Sequence, residues 1–137
     1  MKFASLFPAR RVVLLALLSC LVLACDSDPA GPTAADLVGI WSNEDAGTTR
    51  AFVFEAPDDY TLYFYATGSA PEVAQIGTYA VTDGTLVTTV VGSPIDGGLV
   101  GRSFGNTIID LADDRLTLAS PSSASGERTF TRVDALE

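Results

Sequence analysis

From Leu37 to the C-terminus the sequence is a succession of short β-rich segments, each cut off by turn-forming residues. The segments are Leu37–Asn43, Thr49–Ala56, Tyr60–Thr67, Val73–Thr82, Thr85–Val91, Val100–Leu111, Arg115–Ser120 and Arg128–Asp134. Between them stand Asp45-Ala46-Gly47, Pro57-Asp58-Asp59, Gly68 to Pro71, Asp83-Gly84, Gly92 to Gly98, Asp113-Asp114 and Pro121 to Gly126. This punctuation constrains the fold more than any other feature, because short links join strands that lie antiparallel and adjacent in space. Asp83-Gly84 is the strongest signal, since both residues tolerate the positive φ that a two-residue type I′ turn requires. Eight antiparallel strands in so short a chain either form a sandwich or close on themselves, and closure removes the exposed edges. The expected fold is all-β: an eight-stranded antiparallel up-and-down meander barrel.

Side chains two apart on a strand share a face, so alternation assigns the interior. One face collects Gly39 and Trp41, Phe52 and Phe54, Leu62 and Phe64, Gly77, Tyr79 and Val81, Ile109 and Leu111, Leu116 and Leu118, and Phe130 with Arg132. This aromatic-rich set is the expected barrel interior, with Arg132 its one assigned charge. The opposite face carries Tyr63, Tyr65, Thr78, Thr88, Asn106, Asp110, Thr117, Thr129 and Thr131, a mixture suited to water.

The N-terminus is organised differently. Lys2, Arg10 and Arg11 precede an apolar run from Val12 to Ala24, and Cys25 is followed at once by Asp26-Ser27-Asp28-Pro29. These zones describe a secretory signal, and the run is shorter than the roughly 20 residues a membrane-crossing helix needs. Leu21-Val22-Leu23-Ala24-Cys25 resembles the lipobox of bacterial lipoproteins, which implies cleavage before Cys25 and its lipidation. Leu17-Leu18-Ser19-Cys20 is a poorer second match, ordinary cleavage near Ala24 with release of the protein is the alternative, and Arg10-Arg11 hints at the twin-arginine route. A multiply acylated Cys25 would hold the protein in the membrane of the bacterial cell envelope, because two or more chains bind stably where one does not. Residues 26–35, with two prolines, a glycine and two aspartates, cannot build a core and read as a tether. The expected organisation is a signal peptide over 1–24, lipidated Cys25 and tether over 25–36, and a barrel domain over 37–137. Thr33 and Asp36 have the spacing of a short capping box, so one helical turn is expected at the start of the domain.

Charge narrows the functions available. All 17 acidic residues lie after Cys25 against five arginines, leaving the exported part at −12 with no lysine and no basic stripe. Such a body cannot neutralise phosphates, which excludes nucleic acid as a partner. The chain has no His, and no Cys follows Cys25. The domain therefore folds without disulfides, and most nucleophilic and acid–base chemistry lacks its usual residues.

Gly39-Ile40-Trp41 matches the Gly-x-Trp element of the first strand in lipocalin-like proteins. Phe130-Thr131-Arg132-Val133 looks like their closing strand. With Phe52-x-Phe54, Gly77-x-Tyr79-x-Val81 and Asp114-x-Leu116-x-Leu118 in order between them, the chain resembles the compact lipocalin-like domains of bacterial lipoproteins over roughly Leu37 to Asp134. The resemblance implies that Trp41 packs at the closed end of the barrel under Arg132, a structural pair. The bridging cysteines and long C-terminal helix of larger lipocalins are absent, which argues for a shallow site over a deep calyx.

No cofactor and no metal site is expected. Asp58-Asp59 and Asp113-Asp114 stand where turns need Asp, without the spaced ligands of a calcium loop. Glu55 and Asp110 fall on the outer face, and Ser122, Ser123 and Ser125 have no base to activate them and read as a hairpin tip. The expected protein is thus not an enzyme. Two roles compete. One is binding of a small hydrophobic ligand at the barrel mouth, lined by some of Phe52, Phe54, Phe64, Tyr79 and Phe130, with a non-polar ligand favoured because the acidic body repels anions. The other is an envelope scaffold with a packed barrel, recognising a partner protein through an outward stripe of Tyr63 and Tyr65.

Overall fold

The computed structural model describes residues 30–121 and 126–137. The expected signal peptide, Cys25, residues 26–29 of the expected tether and the serines at 122, 123 and 125 lie outside the described residues. Eight strands follow one another: β1 (Gly39–Asp45), β2 (Thr48–Glu55), β3 (Asp59–Ala66), β4 (Val73–Thr82), β5 (Thr85–Gly92), β6 (Ser103–Leu111), β7 (Arg115–Ala119) and β8 (Glu127–Val133). Each pairs antiparallel with its neighbour in sequence, and β8 returns to β1 through Ile40↔Val133, Trp41↔Arg132 and Ser42↔Thr131. The result is a closed eight-stranded antiparallel barrel.

The local causes are visible at the turns. Asp83 (φ 49°) and Gly84 (φ 70°) both occupy the left-handed region, as a type I′ hairpin demands. The β1–β2 turn uses the same geometry at Ala46 (φ 51°) and Gly47 (φ 78°), placing an alanine where Asn or Asp is ordinarily preferred. β6 starts three residues later than the sequence suggests. Gly97–Leu99 form a 3₁₀ turn, capped by the Asp96 carboxylate accepting from Gly98 N–H at 2.9 Å, before the chain enters the sheet.

Irregularities in register decide which side chains face inward. Between β6 and β7 the register shifts between Ile108 and Asp110, and the alternation slips with it. Ile108 and Leu111 therefore pack against the core, whereas Ile109, expected inside, is 50% exposed. A second shift lies at Ile76/Gly77 between β4 and β5. A Cβ at Gly77 would sit 1.9 Å from the carbonyl oxygen of Thr89 and 2.8 Å from the Tyr60 ring, so only glycine lets the two strands approach this closely.

One end of the barrel is plugged. The helical turn α1 (Ala34–Leu37) carries fully buried Leu37 into the opening. The Asp36 carboxylate accepts from both the backbone N–H (2.8 Å) and the hydroxyl (2.7 Å) of Thr33, which holds the turn's entry and lowers the Asp36 pKa. Residues 31–137 form one compact unit, containing the eight strands, the plug and the buried core. The last residues before Leu37 thus belong to the folded unit. No helix among the described residues is long and apolar enough to cross a membrane.

Candidate functional site

The two ends of the barrel are built from similar side chains arranged to different effect. At the plugged end, three side chains from three strands donate to the carbonyls of α1. Trp41 Nε1 donates to Leu37 O at 2.7 Å, Tyr79 Oη to Ala34 O at 3.1 Å and Arg132 Nη2 to Asp36 O at 3.1 Å. They satisfy carbonyls that a one-turn helix leaves without partners of its own. The Arg132 guanidinium carbon stands 4.5 Å from the centroid of the Trp41 ring, an arrangement worth on the order of 1 kcal/mol. Gly39, beside Arg132, stands at φ 139°, a backbone conformation that residues with a side chain rarely adopt.

Above the plug lies a layer of packed aromatics. Phe54 stacks on Phe52 with centroids 5.3 Å apart and meets Tyr79 at 4.8 Å, while Phe52 meets Phe130 edge-on at 5.5 Å. Tyr60 completes the layer, its hydroxyl donating to Gln75 Oε1 at 3.3 Å. Burial pushes the phenols of Tyr60 and Tyr79 up, so both stay protonated donors at neutral pH.

The layer is the floor of a cavity of about 390 Å³ at the opposite end. Phe52, Phe64 and Phe130 line it, three of the five aromatics expected there. Phe54 and Tyr79 do not; at 1% and 3% exposure they belong to the packed core beneath. Phe64 (39% exposed) and Ile95 (66%) mark the opening, the latter carried by the loop that precedes the 3₁₀ turn. Ser93 Oγ ties that loop to the barrel by donating to Ala74 O at 2.9 Å.

The cavity also contains residues that the sequence reading left out or put outside. Thr88 and Asn106, assigned to the water-facing side, line it. Both lie on strands whose short, mostly small or β-branched residues carry little face signal. Arg50 and Arg128 line it as well, which corrects the assignment of Arg132 as the one inner charge. The signal for both was present: the alternation that turns Phe52 and Phe130 inward, carried two residues back, turns Arg50 and Arg128 inward too. Arg50 lies 4.9 Å over the Phe64 ring, its cross-strand partner.

The tyrosine stripe proposed as a partner surface is not exposed. Tyr65 is only 6% exposed and Tyr63 is half-buried. Tyr65 does stand on the outer face, but Val133 at the end of β8 and residues 134–137 after it share a groove with it and with Thr49, and burial there raises its pKa with Glu137 adding to the effect. Asp110 is engaged by Arg115 at 2.7 Å on the surface, and among the described residues no three His, Cys, Asp or Glu side chains converge as metal ligands.

Comparison with known proteins adds the fold. No family model and no curated protein matches the chain. Among solved structures, a lipocalin-like protein from Bacteroides uniformis superposes with a TM-score of 0.51, at 14% identity, over 72% of this chain and 99% of that one. The fold is lipocalin-like. Identity this low speaks for the lipocalin-like barrel and carries no ligand with it.

Proposed function

We propose that this chain is a lipid-anchored envelope protein, held in the membrane through Cys25, whose lipocalin-like barrel binds a small hydrophobic ligand at its mouth without catalysing a reaction. The cavity carries the reading: about 390 Å³, floored by Phe52 and Phe130 and open past Phe64, falls within the range of small-molecule sites. A packed scaffold barrel would have filled that space, and the stripe that would have served a protein partner is largely covered. The segment 31–137, self-contained in its core and its closed sheet, should take up decan-1-ol, read by displacement of an environment-sensitive dye. A barrel that admits neither the alcohol nor the dye would return the case to the scaffold. The anchor is tested separately, by labelled palmitate incorporation into the full chain. Label should appear in the wild type and vanish in Cys25→Ala, and an unlabelled wild type would remove the anchor.

A further inference from the structure

Five arginines face fifteen carboxylates in residues 31–137, a formal charge of −10, yet two of those five line the mouth cavity and none of its described lining residues is acidic. The other three lie elsewhere: Arg115 pairs with Asp110, Arg132 covers Trp41, and Arg102 precedes β6 outside the cavity. Arg50 and Arg128 are half-buried among aromatic and aliphatic groups, and neither is paired with a carboxylate among the described residues. Half-buried cations without a counter-charge are costly, and a ligand that supplies one recovers the cost. The carboxylates of the acidic body stand outside the described lining of the cavity, and solvent ions weaken the action of exposed charges across more than about 8 Å.

We infer that the mouth cavity selects an amphipathic anion: a medium-length apolar chain or ring system lying on Phe52, Leu62, Leu118 and Phe130, with a carboxylate or similar anionic head held by Arg50 and Arg128. The inference rests on the ligand-binding reading and replaces its non-polar ligand with a charged one. Each guanidinium presents five N–H donors in a plane suited to a carboxylate, and that of Arg50 lies over the Phe64 ring with its carbon 4.9 Å from the centroid. Gln75, Thr88 and Asn106 add neutral polar groups on the β4–β6 wall. The size of the cavity, near the lower limit of ligand pockets, favours a chain of medium length.

Three ligands with one decyl chain and different heads separate the outcomes on residues 31–137: decanoate, decan-1-ol and decyltrimethylammonium. Decanoate should bind at least about tenfold more tightly than the alcohol, the size expected of charge-assisted hydrogen bonds, and the ammonium more weakly than either. Arg50→Gln/Arg128→Gln should lose the preference for decanoate. Arg102→Gln/Arg115→Gln, with the same net charge, should keep it. Equal binding of decanoate and decan-1-ol by the wild type would overturn the anionic head and leave the hydrophobic site standing; binding of none of the three would overturn both. Equal loss in the two double variants would assign the effect to overall charge and overturn the inference. Should the mouth variant fail to melt cooperatively, Arg128→Gln alone and the ranking of the three ligands by the wild type carry the same decision.

Discussion

Each end of this barrel has an arginine lying on an aromatic ring, Arg132 on Trp41 at 4.5 Å and Arg50 on Phe64 at 4.9 Å, and the two pairs differ in what lies beyond them. At the plugged end a helical turn offers carbonyls, and Arg132, Trp41 and Tyr79 all donate to them. At the mouth no such segment among the described residues covers Arg50; the ring beneath it is 39% exposed and opens onto the cavity. The same pairing is therefore cement at one end and an available surface at the other. Chemistry of the side chains alone does not separate the two; the presence of Ala34–Leu37 over one opening does.

The largest effect on the difference between the two ends is expected of Trp41→Ala. It empties the most buried large side chain and removes the donor to Leu37 O, and it should lower stability by about 3–5 kcal/mol, read by denaturant or thermal unfolding. An unchanged melting temperature would mean that the plug contributes nothing. Tyr79→Phe removes one hydroxyl from the plug and keeps the ring against Phe54, so the expected loss is about 0.5–1.5 kcal/mol. A larger loss would show that the contact to Ala34 O controls docking of the whole turn. Phe64→Ala, at the mouth, should cost least, under about 1 kcal/mol, because the ring already meets solvent, while dye uptake should fall. A cost comparable to Trp41→Ala would make the mouth as structural as the plug and end the distinction.

Much of the architecture is legible in local sequence. The Asp83-Gly84 turn occurs with both residues at positive φ, β4 has the expected limits, and Trp41, Phe54 and Phe130 are buried as alternation requires. Alternation fails at Ile109, because a register shift at Ile108/Asp110 breaks the period of two and nothing in the run of residues announces it. It also fails to foresee Tyr65, which is outward by alternation and buried all the same, beside a C-terminal tail.

For the site, composition and side are written in the amino-acid pattern: aromatics inward on β2, β3 and β8, and, by the same rule, Arg50 and Arg128 with them. These follow from the two-residue period of a strand, a property of neighbouring residues. Depth along the barrel is set by how the strands assemble. Phe52 and Phe54 share a face and stack on each other, yet one lines the cavity and the other lies in the packed core. How far along the barrel axis a residue falls depends on strand stagger, on register shifts and on which opening the N-terminal turn covers. Those are relations between segments distant in the chain, and no local pattern records them.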